Sequence, residues 1–190
     1  EAIWPYHYAG TMGLVQRDSI DRLSHSLGYS RQQSTICTSL PDAGYIAGTG
    51  LKRGLDPREI EHATLVVTWG GNPVHTQINV MHHVNKGKKN NQAKLVVIDP
   101  YRTATAQKSD LHLMLKPGTD GALACAVMHC LFRDNYADWD YLNQYTDDPR
   151  GLEQHLATRT PTWAAAITGL DVDDIETFAQ WYGDNPQTFL

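Results

Sequence analysis

Two short, largely apolar runs, Leu65–Trp69 and Lys94–Ile98, constrain the fold of this chain more than any other feature. Neither run alternates polar with apolar residues, so each predicts a strand that is buried on both faces of a sheet. Between them the sequence predicts a helix from about Val74 to Lys86, with Gly87 as its stop. A buried strand, a helix and a second buried strand at this spacing predict parallel pairing, with helices covering the sheet.

The sequence that follows continues this alternation. It predicts a third strand over Leu111–Leu115 and, after a Pro-Gly stop, an apolar helix that Thr119 or Asp120 caps and that reaches about Arg133. Residues 138–182 are predicted to be helical, with breaks near three residues: Pro149, Pro161 and Gly169. We therefore expect the α/β class, with a mostly parallel sheet flanked by helices and a helical C-terminal part.

Shorter signals precede this region. We predict a brief strand over Ala2–Tyr8 and helices over Asp18–Leu27 and about Pro41–Ala47. An Asp-Pro pair at Asp56 predicts the cap and first residue of a short helix that ends near His62.

The length of 190 residues is that of one domain, so we expect residues 1–190 to form a single α/β domain. We divide it into an irregular N-terminal part (1–60), a core α/β unit (61–135) and a helical part (136–190). The sequence begins with Glu1 rather than Met and ends in an apolar run that resembles the start of a strand. We therefore expect it to be a segment of a larger, multidomain protein.

Composition and charge argue against several classes of protein. The formal net charge of −5 argues against a general nucleic-acid binder, although it allows a local basic pocket. No apolar run approaches the roughly 20 residues that a membrane-spanning helix needs. The three cysteines, Cys37, Cys125 and Cys130, cannot all pair with one another, which indicates free thiols rather than a disulfide framework.

Three polar loops follow the three predicted strands, namely Gly70–Pro73, Asp99–Thr103 and Lys116–Asp120. Because the carboxyl ends of parallel strands meet at one edge of a sheet, and ligands of such sheets bind there, we expect these loops to converge on a site.

The residues of these loops suit a nucleotide. Gly71 and the glycine before it permit close backbone approach, and a helix that starts after Asn72 would offer N–H groups to a phosphate. Asp99 can accept hydrogen bonds from ribose hydroxyls, Arg102 can hold phosphate oxygens, and Asp120 can accept the two N–H donors of a guanine.

Structural interpretations of the same residues stay open. The Gly-Gly pair can be a simple turn, Asp99 a cap at a strand end and Asp120 a helix cap; the three loops together favour a nucleotide-like site. A plain NAD site is disfavoured, because no G-x-G-x-x-G follows the Leu65–Trp69 strand. Cys37 follows a predicted short extended stretch, where it can project into a cleft or be a small buried hydrophobe.

Five motifs stand in one order along the chain: Pro5–Gly13; Thr35–Cys37 with Ala43–Tyr45; Trp69–Pro73; Val97–Thr103 with Thr105-Ala106; and Leu115–Asp120 with Ala122-Leu123. In this order they resemble motifs of the molybdopterin oxidoreductase catalytic subunits, the superfamily of dimethyl sulfoxide reductase, formate dehydrogenase and nitrate reductase. The resemblance implies the Rossmann-like domain of that fold. It also implies a molybdenum or tungsten enzyme that uses two pterin guanine dinucleotides for two-electron chemistry on a small substrate.

The resemblance also implies roles for individual residues. Cys37 falls where relatives place the protein ligand to the metal, which would make it the catalytic and metal-binding residue. Nine positions would contact one cofactor: Gly71, Asn72, His75 and Thr76 near its phosphates, Ile98, Asp99 and Arg102 at its ribose and diphosphate, and Gly118 and Asp120 at its guanine.

The sequence departs from the family in two respects. It lacks the cysteine cluster that binds a 4Fe–4S centre in many relatives, so such a centre would belong to the larger enzyme. Thr38-Ser39-Leu40 replaces the His-Gly-Pro of formate dehydrogenases, which disfavours formate as substrate.

The partners that the resemblance implies are the remaining domains of the same polypeptide and an iron–sulfur or other electron-transfer subunit. We expect the isolated segment to be apo and inactive. Cytoplasm and periplasm both stay open as its location. Two other functions also stay open: a non-catalytic nucleotide-binding module and a degenerate structural subunit of a redox complex.

Overall fold

The computed structural model of the chain describes residues 3–6, 19–31 and 39–190. The chain divides into two compact units, residues 1–54 and residues 55–190. The predicted subdivision at residues 60 and 135 stays a prediction.

The first unit contains two helices, α1 (Ser19–Leu27) and α2 (Ser39–Thr49). The helix predicted over Asp18–Leu27 is thus confirmed from Ser19 onward, and α2 extends two residues beyond each end of the predicted helix. Residues 3–6 do not form the strand predicted over Ala2–Tyr8. The rest of that segment, and the extended stretch at Thr35–Cys37, lie outside the described residues.

The second unit is an α/β layer structure. Its strands are β1 (Leu65–Trp69), β2 (Lys94–Ile98), β3 (Leu111–Leu113) and β4 (Thr188–Phe189). Its α-helices are α3 (Pro73–Thr76), α4 (Ile78–Asn91), α5 (Asp120–Arg133), α6 (Trp139–Tyr145), α7 (Pro149–Leu156), α8 (Pro161–Thr168) and α9 (Val172–Asp184). Two 3₁₀ helices, Pro57–His62 and Ala106–Lys108, complete it.

All four strands pair in parallel, in the order β3-β2-β1-β4. Trp69 lies opposite Ile98, and Ile98 lies opposite Leu113, so three strands end at the same level. The order reverses beside β1, because β2 lies on one side of it and β4 on the other. Such a reversal is where open α/β sheets bind their ligands. The predicted α/β class is confirmed.

The core has two layers because side chains alternate along a strand. Val96 and Ile98 of β2 pack in the layer that contains α5 and α9. Leu95 and Val97 pack in the other layer, against α4. Each of the four is at most 1% exposed, and burying such a side chain contributes about 1.5–3 kcal/mol. Burial on both faces is why this strand contains no polar alternation.

The helix predicted over Val74–Lys86 is wrong at both ends. The backbone breaks at Gln77, which separates α3 from α4, and α4 continues past Gly87 to a left-handed residue, Gln92, with φ of 56°. A Cβ on Gly87 would lie 2.8 Å from the carbonyl oxygen of Ile60. The glycine therefore serves close packing of α4 against the first 3₁₀ helix, not helix termination.

The predicted interruptions of the C-terminal helices are confirmed. Pro149 and Pro161 each stand in the first turn of a helix, after the N-caps Asp148 and Thr160, whose side chains accept a backbone N–H. Gly169 ends α8 with φ of +79°. Within the residues that the structure describes, no helix is both long and apolar enough to cross a membrane.

Candidate functional site

The loops that follow β1, β2 and β3 lie side by side at the carboxyl edge of the sheet. The backbone N–H of Gly70 donates to the carbonyl oxygen of Ile98 at 2.8 Å, and that of Asp99 donates to Leu113 at 3.2 Å. These bonds continue the strand pairing past the last sheet residue, so the loops leave the sheet in register. The convergence predicted from the sequence is present.

The side chain of Asn72 is held by a residue of the next loop. The hydroxyl of Thr105 donates to Oδ1 of Asn72 at 2.7 Å and accepts the backbone N–H of Val74 at 3.1 Å. Thr105 is fully buried, whereas Asn72 is partly exposed. The loop after β1 is thereby fastened to the loop after β2.

The start of α3 does not offer the free N–H groups that the sequence suggested. The N–H of Val74 binds Thr105, and the N–H groups of His75 and Thr76 both donate to the carbonyl oxygen of Asn72 at 3.0 Å. The helix also has only four residues, so few peptide dipoles add along its axis. His75 and Thr76 are exposed beside the loop, and any ligand contact they make comes from their side chains.

Asp99 ends β2 with its carboxylate partly used. Oδ1 accepts the backbone N–H of Tyr101 at 2.8 Å, and the carbonyl oxygen contacts Nε2 of His112 at 3.0 Å. Oδ1 of Asp99 therefore caps the end of the strand, as the structural interpretation expects. The remaining lone pairs of the carboxylate are available to a ligand. The side chain of Ile98 packs in the core, so a role for Ile98 is limited to its backbone.

Arg102 lies exposed in the loop after β2, and its guanidinium makes no hydrogen bond or ion pair within the described residues. Its neighbour Thr103 is buried, and the Thr103 hydroxyl accepts the backbone N–H of Ala106 at 3.1 Å. Arg102 therefore stands in a turn that a hydrogen bond stabilises, and its guanidinium is available to a ligand. The planar donors of a guanidinium match phosphate oxygens.

Asp120 is the first residue of α5, and its carboxylate points to the end of β1. Its Oδ1 accepts a hydrogen bond of 2.8 Å from the indole Nε1 of Trp69. The loop before it turns at Gly118, whose φ of +80° only glycine adopts readily. Thr119 occupies the N-cap position, but its side chain caps no helical N–H, and its hydroxyl donates to the carbonyl oxygen of Lys116 at 2.6 Å. Asp120 itself is exposed.

Sequence reasoning missed Thr105 and Trp69 as site residues. Both stand inside the quoted motifs, so the motifs themselves were the available signal. Their partners are 33 and 51 positions away, respectively, and no local pattern shows such pairs.

Cys37 lies outside the described residues. The two cysteines of α5 differ in environment, since Cys125 is partly exposed and Cys130 is buried. Burial and the nearby carboxylate of Glu176 raise the pKa of Cys130 to about 11, so this thiol is a packing residue. Among residues 3–6, 19–31 and 39–190, no group of three His, Cys, Asp or Glu side chains could hold a metal.

A polar pocket of about 430 Å³ lies elsewhere, between the end of α5 and α9. Its central cation, Arg133, is already bound by Asp134 and Glu176. Arg133 stands thirteen residues after Asp120, or about 20 Å along the helix axis, so this pocket is separate from the carboxyl edge.

The parallel sheet, its reversed strand order and the polar loops at its carboxyl edge define an open α/β domain. Residues 14–172 match the profile of the molybdopterin oxidoreductase family. The chain belongs to this family.

Curated relatives agree with the profile. The chain is 35% identical to a probable oxidoreductase, YoaE, of Bacillus subtilis, over 100% of this chain and 28% of the relative. It is 30% identical to a probable dimethyl sulfoxide reductase chain, YnfF, of Escherichia coli, over 89% of this chain and 24% of the relative. The chain therefore spans about a quarter of the length of these relatives.

The fold also matches a solved structure. Acetylene hydratase from Pelobacter acetylenicus superimposes with a TM-score of 0.62 and 20% sequence identity, over 70% of this chain and 20% of that chain. At this identity the match supports the fold alone.

Proposed function

We propose that this chain is the cofactor-binding α/β domain of a molybdenum or tungsten oxidoreductase and that its carboxyl edge binds the nucleotide end of a molybdopterin guanine dinucleotide. The observation that carries this proposal is that Asn72, Asp99 and Asp120 stand in loops at one edge of the sheet, where Thr105 holds Asn72 and Trp69 holds Asp120. Membership of the family supplies the cofactor class.

The donors and acceptors of the edge suit a guanine nucleotide. Asp99 and Asp120 supply carboxylate acceptors for ribose hydroxyls and for guanine N–H groups, and Arg102 and Asn72 supply donors for a diphosphate. The backbone at Gly71 packs closely against the side chain of Thr68, since a Cβ at position 71 would lie 3.1 Å from Cγ2 of Thr68. The edge thus supplies both donors and acceptors, which a nucleotide site requires. A cation site would need oxygen acceptors alone.

Each of the named residues at the carboxyl edge then has a binding or positioning role. Asn72, with His75 and Thr76 beside it, would lie at the phosphates, and Arg102 would neutralise part of their charge. Asp99 would bind the ribose, and Asp120, which follows the positive-φ turn at Gly118, would bind the guanine. The bound cofactor supplies the two-electron redox chemistry, and the protein orients and tunes it.

We further propose that Cys37 is the protein ligand to the metal. A thiolate is a soft ligand and suits a metal that is also bound by sulfur. Of the other two cysteines, Cys130 is buried in the core, and Cys125 lies within α5 outside the motif that the resemblance assigns to the metal ligand.

The domain is proposed to work within a longer polypeptide, with its remaining domains and with an iron–sulfur or other electron-transfer subunit. Residues 1–190 alone are proposed to be apo and inactive, because one domain covers only part of so large a cofactor.

The test is to purify the full-length enzyme from cells that make the cofactor and to measure metal, pterin and guanine nucleotide per polypeptide. We expect all three in wild type and a loss of guanine nucleotide in Asp99→Ala/Asp120→Ala. Glu153→Gln, in an exposed ion pair of α7, is the control. Active enzyme without molybdenum or tungsten would contradict the proposal, and a free guanine or adenine nucleotide without pterin would favour a non-catalytic module.

A further inference from the structure

Asn72 occupies a helix N-cap position without capping the helix. An N-cap Asn normally accepts, through its own Oδ1, the N–H of the second or third helical residue. Here no such bond forms, and the second helical N–H, that of Val74, goes to Thr105 instead. Thr105 in turn donates to the Asn72 carboxamide. The Thr105 hydroxyl, from another loop, therefore stands between the Asn72 side chain and the helical N–H that an N-cap would bind directly. We call these two hydrogen bonds the relay.

This relay fixes which end of the carboxamide is held inside. Thr105 is fully buried, so its hydroxyl proton needs a protein acceptor, and Oδ1 of Asn72 at 2.7 Å is that acceptor. The carboxamide oxygen is thus engaged, and the NH₂ group is the end left for other contacts. An NH₂ group has two donors and no acceptor.

We propose that Thr105 is a positioning residue that holds Asn72 with its NH₂ donors toward the ligand and so selects for phosphate oxygens at this loop. The inference rests on the proposed nucleotide site and deepens it. Thr105 belongs to the same loop as Asp99 and Arg102, so one hydroxyl also fixes the spacing between two ligand-binding loops. The resulting specificity is for the diphosphate, not for the base.

The test compares guanosine 5′-diphosphate with guanosine as probes of the full-length enzyme, purified from cells that do not make the cofactor, by titration calorimetry. Thr105→Val removes the hydroxyl and keeps the shape. We expect it to weaken binding of the diphosphate about tenfold and to leave guanosine binding within about twofold, since the lost contact is to charged phosphate. Thr105→Ser restores the hydroxyl and should restore diphosphate binding.

Thr168→Val is the matched control. Thr168 is equally buried, and its hydroxyl also donates to a carbonyl oxygen, that of Ala164, and accepts a backbone N–H, that of Leu170. Its loss imposes a similar folding cost on the protein, and we expect it to leave the preference for diphosphate over guanosine unchanged. A merely structural role of Thr105 would make the two valine variants behave alike.

A second measurement needs no change at Thr105. In the ¹⁵N-labelled wild-type chain, the side-chain amide signal of Asn72, assigned by its loss in Asn72→Asp, should shift with guanosine diphosphate and not with guanosine. Equal effects of Thr105→Val on both probes, or an unshifted Asn72 signal while the diphosphate binds, would overturn the inference and leave the proposed function standing. A cofactor-free, full-length wild-type enzyme that binds neither probe would overturn both.

Discussion

The indole Nε1 of Trp69 donates a 2.8 Å hydrogen bond to Oδ1 of Asp120 and joins the end of β1 to the first residue of α5. The two residues are 51 positions apart in sequence. A hydrogen bond to one carboxylate oxygen restricts the rotation of the group and leaves the other oxygen for a ligand. This bond therefore limits the orientations in which Asp120 can bind a ligand.

The first prediction concerns that bond. Trp69→Phe keeps an aromatic ring but replaces the indole with a smaller phenyl group that has no N–H donor, and a hydrogen bond to a charged group contributes about 1.5–3 kcal/mol. We expect guanosine to bind about fivefold more weakly and its advantage over inosine, which lacks the 2-amino group, to shrink. Competition titrations on the cofactor-free, full-length enzyme measure both. Trp139→Phe, in the aromatic pair with Phe132, is the control and should change neither.

The second prediction concerns the packing of α4. Gly87→Ala places a methyl group 2.8 Å from a backbone oxygen, which cannot move without shifting the 3₁₀ helix. We expect the free energy of unfolding to fall by about 1–3 kcal/mol in urea. Gly121→Ala, within α5 and with open space at its Cβ, should instead gain roughly 0.5–1 kcal/mol. Equal stabilities of the two variants would refute the packing role.

The third prediction is a pH dependence. Arg133 binds both oxygens of Glu176, at 2.9 and 2.6 Å, and these bonds hold the pKa of Glu176 below its ordinary value of 4.5. A lowered folded-state pKa stabilises the protein above the unfolded-state value and loses that effect as pH falls. We expect Glu176→Gln to be less stable than wild type at pH 7, with the difference shrinking below about pH 4.5.

Urea unfolding at a series of pH values measures this difference. The matched control is Glu153→Gln, which breaks the exposed pair with Arg150. Such pairs contribute little, so its effect should be small at every pH. A deficit of Glu176→Gln that stays constant down to pH 3 would show that the ion pair does not cause it.

The fourth prediction concerns thiol reactivity. Cys130 is 1% exposed and its pKa is raised to about 11, so the thiolate is scarce at pH 8 and the sulfur is shielded. In the native chain we expect a maleimide to modify the partly exposed Cys125 faster than Cys130, and to modify both after unfolding. Peptide mass spectrometry resolves the two. Native labelling of both at one rate would contradict the assigned burial.

The bounds of β1 and β2 were predictable because their signal is local, whereas β3 ends at Leu113, two residues before its predicted end. Leu65–Trp69 and Lys94–Ile98 have the predicted bounds, since burial on both faces requires a continuous apolar run. The same holds for helices whose caps and prolines stand beside them, such as α7 after Asp148.

Features that depend on distant partners were not predictable. Gly87 has the sequence signature of a helix stop, but the backbone of Ile60 decides its role. The break at Gln77 and the relay through Thr105 likewise follow from contacts between loops that the chain brings together only on folding. The motifs thus name the residues of the candidate site, whose ligand contacts stay predictions, but they do not give the hydrogen-bond directions between them.

The most direct test of the carboxyl edge as a nucleotide site is a structure of the full-length enzyme with its cofactor bound. We predict that a guanine lies within hydrogen-bond distance of the Asp120 carboxylate, beside Trp69. We also predict that the adjoining diphosphate lies next to the NH₂ group of Asn72 and the guanidinium of Arg102. A guanine dinucleotide bound elsewhere, with this edge of the sheet contacting neither base nor phosphate, would show that the edge is not the nucleotide site.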